Sequence, residues 1–159
     1  MIKDSRKIVV ITSGEEEFGL PIETVQSIEK PESLTAIPHF SDTVEGMAAI
    51  RDMLIPMISI QKVLFPHKKP SDKQGKWILL NSDGMTMGLI ADDAREILDI
   101  SQEQIKVAGF LGYQKTKYIT GVADLSEGRL ISIIDPQVLF QSIEGISGIE
   151  DYILNQQSG

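Results

Sequence analysis

The chain has 159 residues, 42% hydrophobic and 24% charged, the balance of one globular domain or two very small ones. A net charge of −8 repels phosphates and anionic headgroups, which disfavours nucleic acid and membrane surfaces as partners, and the absence of cysteine excludes disulfides and thiolate chemistry. The longest apolar run near the N-terminus, Ile8 to Ile11, is too short for a signal-peptide core, and no stretch approaches the roughly 18 apolar residues of a membrane span, so the cytoplasm is the expected location.

In chain order, Ile8 to Ile11 is the first element. Four consecutive apolar residues predict a strand covered on both faces. Glu15-Glu16-Glu17 marks a solvated hairpin turn, and Phe18-Gly19-Leu20 begins the returning strand. Ile22, Val25 and Ile28 recur at i, i+3 and i+6, which suits a turn or two of helix or else a bent strand. Gly46 to Phe65 reads as strand, turn at Asp52, strand and short helix. Pro66 to Lys76 is polar, basic and Pro-containing, a connector.

The same plan then recurs. Gly121 to Phe140 aligns with Gly46 to Phe65 over 20 positions without a gap, with six identities where composition alone gives roughly one or two. Lys76 to Ile97 aligns likewise with Lys7 to Ile28, with five identities in 22 positions. Trp77 to Leu80 repeats the buried strand, Ala91, Ala94 and Ile97 repeat the three-residue spacing, and Glu127-Gly128 repeats the turn. Asp135 is a good N-cap with Pro136 at the first helical position, and Ser101 with Gln104 has the spacing of a capping box. The second copy carries six extra residues between Ile97 and Gly121, a stretch that includes Ala108-Gly109-Phe110-Leu111-Gly112. Ile146, Ile149, Ile153 and Leu154 predict an amphipathic C-terminal helix over about 143–157. Short strands with tight turns, about five per unit, predict two small barrels over about 7–65 and 76–140, with a linker over about 66–75.

Chemistry is thinly represented. His39 and His67 sit in Pro-flanked loops without partners at metal-ligand spacing, and no metal or cofactor is expected. Phosphate-loop, dinucleotide and nucleophile-elbow motifs are absent. Asp92, Asp93 and Glu96 could be imagined as an acid/base cluster of a small-ligand barrel, but the simpler reading is the solvated start of a short helix, where carboxylates suit the dipole. The six methionines are scattered and read as core filler.

The run Gly46-Met47-Ala48-Ala49-Ile50-Arg51-Asp52-Met53-Leu54-Ile55-Pro56-Met57-Ile58-Ser59-Ile60 resembles the signature G-V-x-N-L-R-G-x-x-x-P-V-x-D-L of the CheW family of chemotaxis adaptors. Phe18-Gly19-Leu20-Pro21-Ile22 with Val25 and Ile28 resembles that family's Y-G-L-P-I-x-x-V-x-E-I, Ile37-Pro38 its L-P step, and Tyr118-Ile119-Thr120-Gly121 falls where its second half repeats the theme. The resemblance runs from about residue 6 to 141. Three positions depart: Ala49 stands for Asn, Asp52 for Gly and Ser59 for Asp. Asp52 is tolerable where φ is positive, whereas Ala49 and Ser59 are expected to remove local hydrogen-bonding side chains.

The resemblance implies an all-β fold with short helices, two five-stranded SH3-like β-barrels around a shared core. It implies a non-enzymatic adaptor between a chemoreceptor cytoplasmic tip and the regulatory domain of a CheA-type histidine kinase. It places Val25, Ser27, Ile28 and Arg51 at a partner-binding face, Ile97 at the matching place of the second copy, and Phe110 and Leu111 at a kinase-side contact. A free-standing homologue of the kinase regulatory domain, binding the kinase only, is the alternative.

Overall fold

The computed structural model of the chain describes residues 5–37, 42–69, 75–107, 117–143 and 148. The strands are β1 (Ser5–Ser13), β2 (Glu16–Pro21), β3 (Val25–Glu29), β4 (Val44–Ile50), β5 (Met53–Ser59), β6 (Lys76–Ser82), β7 (Met85–Ala91), β8 (Asp93–Ser101), β9 (Ile105–Val107), β10 (Ile119–Asp124) and β11 (Leu130–Ile134). Helix α1 (Ile60–Leu64) follows β5, and α2 (Pro136–Gln141) follows β11. Among the described residues no helix is long and apolar enough to cross a membrane.

The strands form two sheets, β8-β1-β2-β11-β10-β9 (sheet I) and β3-β6-β7-β5-β4 (sheet II). Sheet membership does not follow the repeats. The hairpin β1–β2 of the first copy joins β8 to β11 of the second, and the hairpin β6–β7 of the second joins β3 to β5 of the first. The boundaries 7–65 and 76–140 therefore delimit the duplicated sequence and not the two barrels. Local pattern carries no sign of the exchange, because each hairpin presents the same apolar pattern to either set of partners. Sheet I has six strands, one more than expected, because a 3-10 turn at Gln102–Gln104 splits β8 from β9.

The apolar runs dictate the layering. Side chains alternate between sheet faces. Ile8 and Val10 of β1 enter a core with Ile100, Ala123, Ile131 and Ile133 inside sheet I. Trp77 and Leu79 of β6 enter a core with Ala48, Ile50, Ile55 and Met57 inside sheet II. The alternate residues Val9, Ile11, Ile78 and Leu80 meet in a third core between the sheets, with Leu20, Ile58, Leu89 and Phe140. Both four-residue runs are thus covered on both faces, as expected.

The duplication extends to irregularities. Both β1/β8 and β3/β6 skip one residue of register, at Arg95 and at Gln26, which are the same position of the repeat. Each is a β-bulge. It explains the three-residue spacing of Val25 and Ile28 and of Ala94 and Ile97, since an inserted residue makes a strand mimic helical periodicity. Of the two readings the bent strand is correct, with 3-10 structure confined to Ile22–Thr24 in the first copy. Register also shifts at Val44/Gly46 and at Ile119/Gly121, again equivalent positions. A Cβ at Gly46 would come within 2.7 Å of the Thr35 carbonyl oxygen, and one at Gly121 within 2.9 Å of that of Lys106, so close approach of a neighbouring backbone requires glycine at both.

The turns and caps match their residues. Asp52 has φ 67° and Glu127 φ 64°, in the left-handed region. Asp135 caps α2 by accepting from the backbone N–H of Gln137 and Val138, and Ser101 and Gln104 form the capping box. Ser59 corrects one expectation. Its hydroxyl accepts from the Lys62 N–H and caps α1, so the position keeps a hydrogen-bonding side chain. Ser59→Ala is expected to lower stability by about 1 kcal/mol, the usual worth of an N-cap, with Ser59→Asp close to the parent, checked by urea denaturation.

Candidate functional site

Strand β3 is an edge of sheet II, paired on one side by β6. Its side chains alternate: Val25, Ser27 and Glu29 are half-buried, Gln26 and Ile28 exposed. Val25 packs against the core between the sheets, so it is partly a structural residue. Ser27 pairs with Leu79, one register step on from the Val25–Leu80 pair and so on the opposite face, and its hydroxyl is shielded from solvent with no hydrogen-bond partner among the described residues. Ile28 is 47% exposed, one of four large apolar side chains among the described residues that stand out into solvent.

The β4–β5 turn lies beside this edge. Arg51 has φ 50°, and its guanidinium donates to Glu29 Oε2 at 3.0 Å. One contact, from an arginine side chain 70% exposed, is worth little energetically. Its use is geometric, tying the turn to β3 and leaving most of the guanidinium fork facing solvent. Met53, 40% exposed, stands on the same turn. Val25, Ser27, Ile28 and Arg51 are thus brought to one edge.

Ile97 is the repeat partner of Ile28 and is 57% exposed, on β8 at the edge of sheet I. Each isoleucine pairs its own β-strand in matched register, Ile28 with Ile78 and Ile97 with Val9. The molecule therefore presents two like edges, one on each sheet, and Ile97 does not join the first. Phe110, Leu111, His39 and nearly all of the expected C-terminal helix lie outside the described residues. His67 is exposed, and among the described residues no group of three or more His, Cys, Asp or Glu is placed to hold a metal ion.

The acidic residues correct two readings. Asp92 and Asp93 begin no helix. Asp92 accepts from the Gly14 N–H at 2.6 Å and so fastens the β1–β2 turn to β7–β8, while Asp93 accepts from the Ala94 N–H at 2.9 Å. Glu96 instead pairs with Arg129 at 3.3 Å. The three carboxylates do not converge on one point, although a groove of about 690 Å³ does open beside Asp92.

Glu17 is likewise not a solvated turn residue. Arg129 from the β10–β11 turn grips it with two hydrogen bonds, of 2.9 and 2.8 Å, and reaches Glu96 of β8 as well. This clamp ties β2, β8 and the β10–β11 turn. It was not legible in the sequence, because its members come from segments up to 112 residues apart. The bonds from Arg129 hold the Glu17 carboxyl below its usual range, against a smaller opposing effect of burial. A depressed carboxylate stabilises the fold above its unfolded pKa and loses that contribution as pH falls through the folded one. Stability is therefore expected to drop as pH falls below about 4.5. Glu17→Gln should cost about 1 kcal/mol at neutral pH for a partly exposed pair and flatten that acid limb. Thermal unfolding from pH 7 to 3 checks it.

Three comparisons bear on the chain. Residues 7–144 match the family model described as CheW-like domain. The chemotaxis protein CheW of Klebsiella aerogenes is 28% identical over 140 residues, covering 87% of this chain and 84% of that protein. The chemotaxis protein CheA of Halobacterium salinarum is 24% identical over 134 residues, which is 84% of this chain and 19% of that protein. Among solved structures, that of the scaffolding protein TtCheW from Thermoanaerobacter tengcongensis superposes with a TM-score of 0.78 at 30% identity, covering 88% of this chain and 94% of that one.

Proposed function

The chain belongs to the CheW-like family, and from that premise we propose that it is a scaffold coupling chemoreceptors to a CheA-type histidine kinase in chemotaxis. The adaptor holds two proteins together and performs no chemistry of its own. The observation that carries this reading is the family match across residues 7–144. Its adaptor role is supported by near full-length likeness to a CheW protein, where CheA shares only one segment of its length.

The partner-binding residues we assign are Val25, Ser27, Ile28 and Arg51 on the sheet II edge, and Ile97 on the sheet I edge. Phe110 and Leu111 are assigned to the kinase side by resemblance alone. An edge strand offers unpaired backbone groups and alternating side chains, a ready surface for another protein. The expected location is the cytoplasm, where receptor tips and kinase meet.

Paired binding tests the reading. The full chain is titrated with a receptor-tip fragment and, separately, with the regulatory domain of the kinase. An adaptor binds both and forms a ternary complex. Binding to the kinase alone would favour the other reading, a free-standing homologue of the regulatory domain, for which the CheA likeness is the supporting observation.

A further inference from the structure

The two bulged strands differ in what their extra residue holds. In the first copy Gln26, the extra residue of β3, accepts from the Thr86 hydroxyl of β7 at 3.1 Å. In the second copy the same two positions are Arg95 of β8 and Glu17 of β2, a pair of opposite charge. They do not bond. Arg129 holds both Glu17 oxygens, at 2.9 and 2.8 Å, and reaches Glu96 at 3.3 Å, so that Arg95 acts on Glu17 only through space. Arg95 is exposed and has neither hydrogen bond nor ion pair among the described residues.

The carboxylates beside Arg95 on its own strand are engaged elsewhere. Asp93 accepts from the Ala94 N–H at 2.9 Å, Glu96 is held by Arg129, and Asp99 is paired with Lys7 at 3.2 Å. Two residues on, about 7 Å along the strand, Ile97 is 57% exposed, the most exposed large apolar side chain among the described residues. Among those residues β8 is paired only by β1, so its other side carries unpaired backbone N–H and C=O groups. An uncommitted guanidinium, an exposed aliphatic side chain and an open strand edge thus coincide.

We infer that the β8 edge is a docking site for an acidic polypeptide segment, one that lays an apolar side chain on Ile97 and sets a carboxylate on Arg95. The inference rests on the adaptor reading above and adds the partner chemistry of one of its two edges. The guanidinium suits a carboxylate because it offers paired N–H donors in one plane. An extended segment can add its backbone to β8, which brings its side chains alongside those of the strand. The net charge of −8 opposes an acidic partner at long range. That field is screened beyond roughly 8 Å at physiological salt, so the choice is made at Arg95 itself. At the β3 edge the corresponding residue is the neutral Gln26, and the two edges therefore select different partners.

The full-length protein, labelled with nitrogen-15, is titrated with a blocked hexapeptide of alternating valine and glutamate and with its lysine counterpart. The glutamate peptide is expected to shift the backbone amides of Ala94 to Asp99 saturably at about millimolar concentration, leaving those of β3 in place, and the lysine peptide not to. Arg95→Gln should weaken this binding at least about threefold, with Arg95→Lys closer to the parent. Both change an exposed side chain, so the amide spectrum away from β8 should be that of the parent. No shift on β8, an equal response to both peptides, or undiminished affinity in Arg95→Gln would each overturn the inference. So would the same shifts on concentrating the free protein, which would seat a second copy on this edge. Separate titrations with the receptor tip and the kinase regulatory domain keep the two readings apart. Peptide binding at β8 with neither protein bound supports the site and fails the adaptor reading; both proteins bound with no peptide response does the reverse.

Discussion

Ile28→Lys is expected to weaken association with the receptor tip, the kinase regulatory domain or both by about 2 kcal/mol, some thirtyfold in Kd. The side chain is 47% exposed on an edge strand, so the lysine ammonium reaches water in the free protein and the fold is retained. In a complex the same ammonium is desolvated against an apolar surface, which is where the cost arises. Val25→Lys is a poorer probe. Val25 packs on the central core, so that variant loses stability as well as affinity, and the two losses are hard to separate. Ile97→Lys gives the matching experiment on the other edge. Calorimetric titration of both variants against both partners assigns each edge to a partner. Parent-like affinity of Ile28→Lys for both would remove the β3 edge from the partner-binding surface.

Arg51 gives a sharper distinction than its weak ion pair suggests. Arg51→Lys keeps the charge and loses the planar fork. If the residue only tethers the turn through Glu29, lysine can replace it, since one contact at 3.0 Å asks for no fork. If the solvent-facing part of the guanidinium grips a partner carboxylate, lysine fails in binding while stability is unchanged.

What could be read from the sequence followed from local pattern. The four-residue apolar runs announced strands buried on both faces, Asp135-Pro136 announced α2, and Asp52 announced a turn with positive φ. What could not be read depends on long-range choice. The exchange of hairpins leaves every strand and turn as expected and changes only which strands pair. The bulges at Gln26 and Arg95 hid β-structure behind helical spacing. The Arg129 clamp joins segments that nothing in the sequence associates. For the candidate site, Ile28 and Arg51 came from resemblance to a family signature. Their adjacency, through Glu29, is visible only once β3 and the β4–β5 turn are side by side.

The exchange also determines how the molecule should unfold, and a pair of identical repeat residues tests it. Phe65 and Phe140 end the two aligned blocks, yet their surroundings differ. Phe140 is 2% exposed on α2, inside the core between the sheets. Phe65 is half-buried, with its ring 6.3 Å from that of Phe18 and Lys68 stacked above it. Phe140→Ala removes a ring from a close-packed interior and leaves a cavity, a loss of about 3–5 kcal/mol. In a chain of this length that lowers the melting temperature by roughly 10 °C. Phe65→Ala is expected to cost about 1–2 kcal/mol, because the half-buried ring lies where water and the Lys68 side chain can fill much of the space. Because each sheet contains strands from both repeats, neither can melt while the other keeps its partners. Scanning calorimetry should therefore show one transition in the parent and in both variants, shifted much further in Phe140→Ala. Two resolved transitions, or equal shifts, would mean that the halves are energetically separate despite their exchanged hairpins.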